Sequence, residues 1–336
     1  MEIIVDQRIE LLAVIQTISG YWDNFAQKYM KKSHFKNIYK NRVIKYFEKF
    51  KEHETIRLFE QLYKDDLDTS HYYQFVLILG YSELPELKNV KNYCDKYSLE
   101  FSKNNNWKLF INSIKTFYKD TNFNDFFENN YKEYEKLISD FGNKEEIVNN
   151  SKCIFDYLSV FDNNNYKVIV SPMVIGCYSI NINNDFKKIC YQIMCPTEYN
   201  DNRYLFCYPE PIIHILWHEI GHTIINDLTE KYIKEYNIEN IIIPEKVKNI
   251  GYSIIEVVIN EYIIRAIVYM LTEINEGDYN ANLQYEVEEN FGFTEVKKLK
   301  NYITENCEKD KRLLKDENYK KIIDYIINRI CKLYCA

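Results

Sequence analysis

Apolar residues recur at helical spacing through most of this chain and give way to β-rich runs in one stretch near its middle, so the pattern predicts many helices and few strands. Glu2 to Val5 is a short β-like run. Arg8 to Tyr21 then places Ile9, Leu11, Leu12, Val14, Ile15 and Ile18 at helical spacing, which reads as a strand leading into a helix. From Phe35 to about Phe161 helices are expected near 35–50, 54–64, 70–80, 84–98, 107–118, 124–139 and 145–161, separated by Asp, Asn, Ser, Pro or Gly. No internal repeat of fixed period accompanies them, which argues against a helical solenoid. His34, His53 and His71 fall in this half without metal-ligand spacing and read as capping or packing residues.

The period changes at about Tyr166. Lys167 to Ser171, Val174 to Ile182 and Lys188 to Cys195 are strand-like, with a further short run at Tyr204 to Tyr208. Val174 to Ile182, which contains Gly176, is a candidate edge strand able to take an extended peptide by main-chain hydrogen bonding; the alternative is an ordinary hairpin strand. Beyond Pro209 and Pro211, Ile212, Ile213, Ile215, Leu216, Ile220, Ile224 and Ile225 define an apolar helix. Thr229 to Tyr236 reads as further helix and Ile238 to Pro244 as a connection. Tyr252 to Ile274 is apolar on nearly every face and is expected to be a buried helix, and 280 to 336 reads as structural helices ending in Tyr319 to Leu333. The expected fold is α+β and predominantly helical, with a mainly helical N-terminal part over 1–161 and a catalytic part over 162–336 that form one continuous structural unit.

The chemistry lies in the helix after Pro211. His218, Glu219 and His222 spell H-E-x-x-H, and two histidines four residues apart stack on one helix face, where both imidazoles can hold one zinc ion at about 2.0–2.1 Å. Glu219 projects beside the metal, where it can act as general base toward water. Gly221, between the histidines, costs about 1 kcal/mol of helix propensity, so a close neighbour, such as a strand, is expected there. His214 lies one turn before His218 and reads either as a substrate or oxyanion group or as a packing residue. In the apolar helix Tyr252–Ile274, buried ionised groups need partners, and a third zinc ligand is the natural role for one of them. Glu256 and Glu261 compete for it. They lie about 140° apart around the helix, so both cannot face one ion. Glu261 has Asn260 before it, an Asn-Glu pair that resembles the one in thermolysin-like gluzincins, and Arg265 one turn on, able to orient the carboxylate or meet a developing charge. Its distance from His222, 39 residues, is longer than in those enzymes.

Composition narrows the classes. At 336 residues, 46% hydrophobic and 28% charged, the chain is globular and can bury a large core. A net charge of −7 and scattered Lys and Arg argue against a nucleic-acid partner. Nine cysteines without a C-x-x-C pair suggest no second zinc site, and an acidic N-terminus without a long apolar core points to a cytoplasmic protein. Glu256, Asn260, Glu261 and Arg265 make the longest apolar run costly to insert, so no membrane partner is expected.

Three places resemble a poorly characterised bacterial family of H-E-x-x-H proteins, a domain of unknown function predicted to be a zincin-like or gluzincin-like zinc metallopeptidase. They are the opening Val5-Asp6-Gln7-Arg8-Ile9-Glu10-Leu11-Leu12, His218 to His222 with Asn226, and Glu261-Tyr262-Ile263-Ile264-Arg265-Ala266. Gln7 stands where proline is expected, and Ile225-Asn226-Asp227 replaces an Asn-Pro ending. The resemblance implies a zincin-like catalytic core, with a small mixed or antiparallel sheet packed on the H-E-x-x-H helix. The expected function is a zinc peptidase acting on a peptide or protein, with His218, His222 and Glu261 on Zn2+ and with Glu219 and Arg265, or a cleft tyrosine, in catalysis. Alternatives are a zinc hydrolase of a small amide or ester and a helical binding protein with a structural metal site; Glu219 would have no use in the latter.

Overall fold

The computed structural model describes residues 1–30, 36–63, 70–88, 92–93, 105–158, 165–184, 187–236, 241–307 and 316–330. Its fold is α+β and predominantly helical, with a small mixed sheet. The chain divides into two units, one of Met1–Lys144 with Asn164–Cys207 and the other of Glu145–Asn163 with Tyr208–Ala336. The expected boundary at 161/162 lies outside the described residues. The units divide differently from that expectation: the strands after Asn164 group with the N-terminal helices, and the helices after Glu145 group with the H-E-x-x-H helix.

In the first unit, strand β1 (Glu2–Ile4) pairs in parallel with β3 (Asn165–Val170), Ile3 opposite Val168, which ties the two distant segments into one sheet. The sheet runs in the order β1-β3-β5-β4-β2, where β2 is Asn92–Tyr93, β4 is Tyr178–Asn184 and β5 is Lys187–Met194. β5 is parallel to β3 and antiparallel to β4. Helix α1 (Gln7–Ile18) follows β1; Asp6 accepts a hydrogen bond from Arg8 N at 2.9 Å to cap it and also pairs with the Arg8 guanidinium at 2.6 Å. Ile9, Leu11, Leu12, Val14 and Ile15 of α1 are fully or almost fully buried with Ile169, Ile180 and Ile193 of the sheet in one apolar core. Further helices of this unit are α2 (Tyr21–Phe25), α3 (Ile38–Phe47), α4 (Glu54–Tyr63), α5 (Ser70–Leu79), α6 (Asn105–Asp120), α7 (Phe123–Asn129) and α8 (Tyr131–Phe141). His53 caps α4, its Nδ1 accepting from Thr55 N at 3.1 Å, whereas His34 lies outside the described residues.

Two expectations fail here for local reasons. No helix forms over the described part of 84–98: a turn occupies Leu84–Glu86 around Pro85, which disfavours helix in the residue before it, and Asn92–Tyr93 is a strand. The run Val174–Ile182 becomes strand only at Tyr178. Gly176 has φ +93°, and the Tyr178 hydroxyl folds back over it to donate to Ile175 O, so the backbone turns before β4 begins. β4 is also flanked on both sides, by β5 and, at Ile182 and Asn183, by β2. Tyr204 to Tyr208 resolves into a hairpin of β6 (Glu198–Asn200) and β7 (Arg203–Leu205).

The second unit is helical: α9 (Lys144–Ser151), α10 (Cys153–Leu158), α11 (Ile212–Ile233), α12 (Glu245–Asn249), α13 (Ile255–Glu276), α14 (Asp278–Phe291), α15 (Val296–Asn306) and α16 (Asp316–Tyr325). α11 starts directly after Pro211 and runs unbroken through Thr229, so the separate helix expected there is its continuation. α13 is the central element; its residues from Val258 through Thr272 are all buried, and α11, α14 and α15 pack on it. Trp217 Nε1 donates to Asn150 O at 2.9 Å, and Thr229 meets the buried Tyr319 hydroxyl at 2.7 Å. The small sheet belongs to the first unit and the H-E-x-x-H helix to the second; within the second unit that helix packs on α13. Among the described residues no helix is long and apolar enough to cross a membrane.

Candidate metal centre

α11 and α13 approach closely where the ligands sit. A Cβ on Gly221 would lie 3.0 Å from Ile264 Cγ2 and 3.4 Å from Cγ1, so the small residue between the two histidines admits a neighbouring helix, not the strand expected. On one face of α11, His218 Nε2 and His222 Nε2 converge to 3.1 Å. From α13, Glu261 Oε2 lies 3.4 Å from His218 Nε2 and Glu261 Oε1 lies 3.2 Å from His222 Nε2. A tetrahedral zinc site with bonds of about 2.0–2.1 Å has ligand atoms about 3.3 Å apart, so these spacings fit that ion. His222 Nδ1 also faces Asn226 Oδ1 at 3.1 Å; with Nδ1 donating, the Nε2 lone pair points to the common centre.

Charge in the site fits a divalent cation as well. Glu219, Glu261 and Glu288 are buried carboxyl groups, and they outnumber Arg265, the buried guanidinium among them. Burial raises the Glu219 carboxyl, against the lowering charges of His222 and His218. Burial would raise Glu261 too, but the charges of His218 and Arg265 and the hydrogen bonds of both histidines hold it well below the usual carboxylate range. Burial opposes a proton on His222, yet the hydrogen bond and charge of Glu261 push it up to about 9. A divalent cation held here would displace any proton shared by His222 and Glu261.

Glu256 is not part of this cluster; it is half-buried in the first turn of α13. Arg265 is brought to the site, but its Nε and Nη2 donate to Glu261 Oε2 at 3.1 and 2.9 Å, its Nη1 donates to Glu288 Oε2, and its guanidinium lies 4.2 Å from the Phe293 ring centre. Of the two roles expected for it, the geometry favours orienting Glu261. His214 is buried one turn before His218; its Nδ1 faces Gln284 Oε1 at 3.0 Å and its Nε2 faces Glu276 Oε1 at 2.6 Å.

The sequence did not single out Tyr252, Gln284, Glu288 or Phe293 as site residues. Tyr252 lies just before α13 and packs edge-on against Phe293 at 5.7 Å. Burial raises its hydroxyl well above the usual tyrosine range, helped by the charge of Glu261 and countered by Arg265, with Glu219 also within electrostatic reach. Gln284 and Glu288, one turn apart on α14, carry the spacing of a polar helix face and no local mark that the face is buried.

The chain matches no curated protein and no solved structure. Residues 1–327 match the family described as Domain of unknown function (DUF4932), and the chain belongs to that family.

Proposed function

We propose that this chain is a zinc-dependent hydrolase, and specifically a peptidase. The observation that carries the reading is the convergence of His218, His222 and Glu261 on one point, with the buried carboxyl of Glu219 on the same helix turn. Those three side chains would hold zinc, which when bound supplies a Lewis acid that acidifies water and polarises a carbonyl. Glu219 takes the proton from the attacking water as its oxygen bonds the carbonyl carbon, then delivers that proton to the amine nitrogen as the carbon–nitrogen bond breaks. Its raised pKa suits both halves of that exchange. Tyr252 is the hydroxyl donor for the negative charge that develops on the carbonyl oxygen. Arg265, gripped by two carboxylates, orients Glu261. The proposed substrate is a peptide or protein, and the proposed compartment the cytosol.

The test pairs metal content with turnover. Purified protein should hold close to one zinc per chain, removable by a chelator and restorable, and the zinc-loaded form should cleave members of an unbiased peptide library. Elemental analysis finding no transition metal after zinc-supplemented purification would sink the site; zinc without cleavage of any peptide would sink the peptidase and favour a small amide or ester substrate.

A further inference from the structure

A chain of mostly buried side chains runs away from the candidate metal centre and takes in residues that the proposed reaction leaves unused. Glu261 is held by Arg265, and Arg265 Nη1 donates to Glu288 Oε2. The other oxygen of that carboxylate, Glu288 Oε1, accepts from Gln284 Nε2 at 3.0 Å. Because the Gln284 amide nitrogen is committed to Glu288, its oxygen must be the acceptor toward His214 Nδ1, 3.0 Å away. His214 Nε2 faces Glu276 Oε1 at 2.6 Å and Thr272 Oγ1 at 3.3 Å, and the Thr272 hydroxyl already donates to Val268 O at 2.9 Å. The links from Arg265 through Glu288 and Gln284 to His214 Nδ1 therefore have a fixed direction. Three helices contribute to it, α11 through His214, α13 through Arg265, Thr272 and Glu276, and α14 through Gln284 and Glu288.

Such a chain could pass protons or fix positions. Arg265 settles which: it has donors only and keeps its charge, so no proton can travel from Glu261 through it to His214. What the chain can transmit is orientation. Glu288, 1% exposed, holds one edge of the guanidinium so that the other edge, Nε and Nη2 together, meets Glu261 Oε2. Both Glu288 oxygens must accept for this to work, which an ionised carboxylate does; a glutamine there removes the negative charge that grips the guanidinium and leaves one acceptor oxygen where there were two.

We propose that Glu288 is a positioning residue for the metal centre, holding Arg265 so that Glu261 keeps its place opposite His218 and His222, with Gln284 and His214 as its anchor. The proposal rests on the metal-site reading above. To test it, the full chain as wild type, Glu288→Gln and Gln284→Met is stripped of metal, and zinc affinity is measured by competition with a chromophoric chelator. The visible absorption of each cobalt(II) form and the thermal midpoint of each metal-free form are recorded alongside. Loss of an outer-shell partner typically weakens metal binding tenfold to a hundredfold, and Glu288→Gln should fall by that factor with a shifted cobalt spectrum. Gln284→Met should show a smaller loss in the same direction. Wild-type affinity and spectrum in Glu288→Gln, whatever its thermal midpoint, would overturn the positioning role and leave the metal site standing; if that variant does not fold, the same result in Gln284→Met decides. A wild type that binds no zinc would remove the site and this role together.

Discussion

Gly221→Ala isolates the contact that brings the two ligand-bearing helices together. In an exposed helix interior the change would stabilise by about 1 kcal/mol through propensity. Here the new methyl carbon would sit 3.0 Å from Ile264 Cγ2, where carbon contacts settle at about 3.5–4.0 Å. Ile264 is fully buried and β-branched, and a helical isoleucine has essentially one χ1 rotamer, so it cannot swing aside. The helices must then part by a few tenths of an ångström, and overpacking of this kind costs about 1–3 kcal/mol. The expected balance is a net loss of about 1 kcal/mol, or a thermal midpoint lower by about 2–4 °C. Zinc binding should suffer more than stability. The histidines stand on one helix and Glu261 on the other, and metal sites tolerate ligand-distance errors of only about 0.2 Å. The assay is a double-mutant cycle read by thermal unfolding of the metal-free protein and by chelator competition. Ile264→Ala alone should cost about 2–5 kcal/mol, and adding Gly221→Ala to it should now stabilise, since the methyl group enters vacated space. A Gly221→Ala single variant that is more stable than wild type, binds zinc as tightly and shows no coupling to Ile264 would refute the close-contact argument.

Three other outcomes are expected. Glu219→Gln should keep its zinc by elemental analysis and lose turnover by about 10²–10⁴-fold, whereas His218→Ala and His222→Ala should lose both; full hydrolysis by Glu219→Gln would contradict the general-base role. Glu261→Gln should weaken zinc binding and Glu256→Gln should leave it unchanged, with the reverse ranking in chelator competition reassigning the third ligand. In the first unit, burial raises the Glu10 carboxyl to about 7 against the lowering hydrogen bond of Ser171. The folded state thus favours the protonated form: that stability is present in full below about pH 4.5 and is lost as pH rises through about 7, a drop of about 3 kcal/mol for this buried group. Glu10→Gln should flatten the denaturation-versus-pH curve over that range, and an unchanged slope would show that Glu10 is ionised at no cost.

How much of this could be read from the chain depends on whether the determining contact is local. His218 and His222 are local: one helix turn fixes their geometry, so the pair is legible from spacing alone. Glu261 is legible for another reason, since a carboxylate inside the apolar run 258–272 has to meet a cation and the nearest candidates are few. The helices and strands follow from periodicity, with failures where a single residue overrides it, at Pro85 and at Gly176. Pairing is a different matter. Nothing in Glu2–Ile4 announces that its partner is Lys167–Ile169, because a parallel pair closes a long connection and leaves no turn signature, and that pairing groups the strands with the N-terminal helices in the first unit.

The outer partners of the candidate metal centre were hidden by the same logic in reverse. Gln284 and Glu288 sit one turn apart on a helix with acids and asparagines around it, and a sequence cannot distinguish a polar stripe facing water from one facing a buried guanidinium. The distinguishing fact is Arg265 itself. Once Glu261 is taken as a ligand, its single charge cannot both neutralise a divalent ion in part and satisfy a buried arginine in full, so a second carboxylate is required on the far side of the guanidinium. That requirement was present in the apolar context of Arg265, although the address, Glu288, was not. The same step applies to any buried ligand–arginine pair one turn apart on a helix: count the charges, and the missing partner must come from an element that reads, by its own periodicity, as surface.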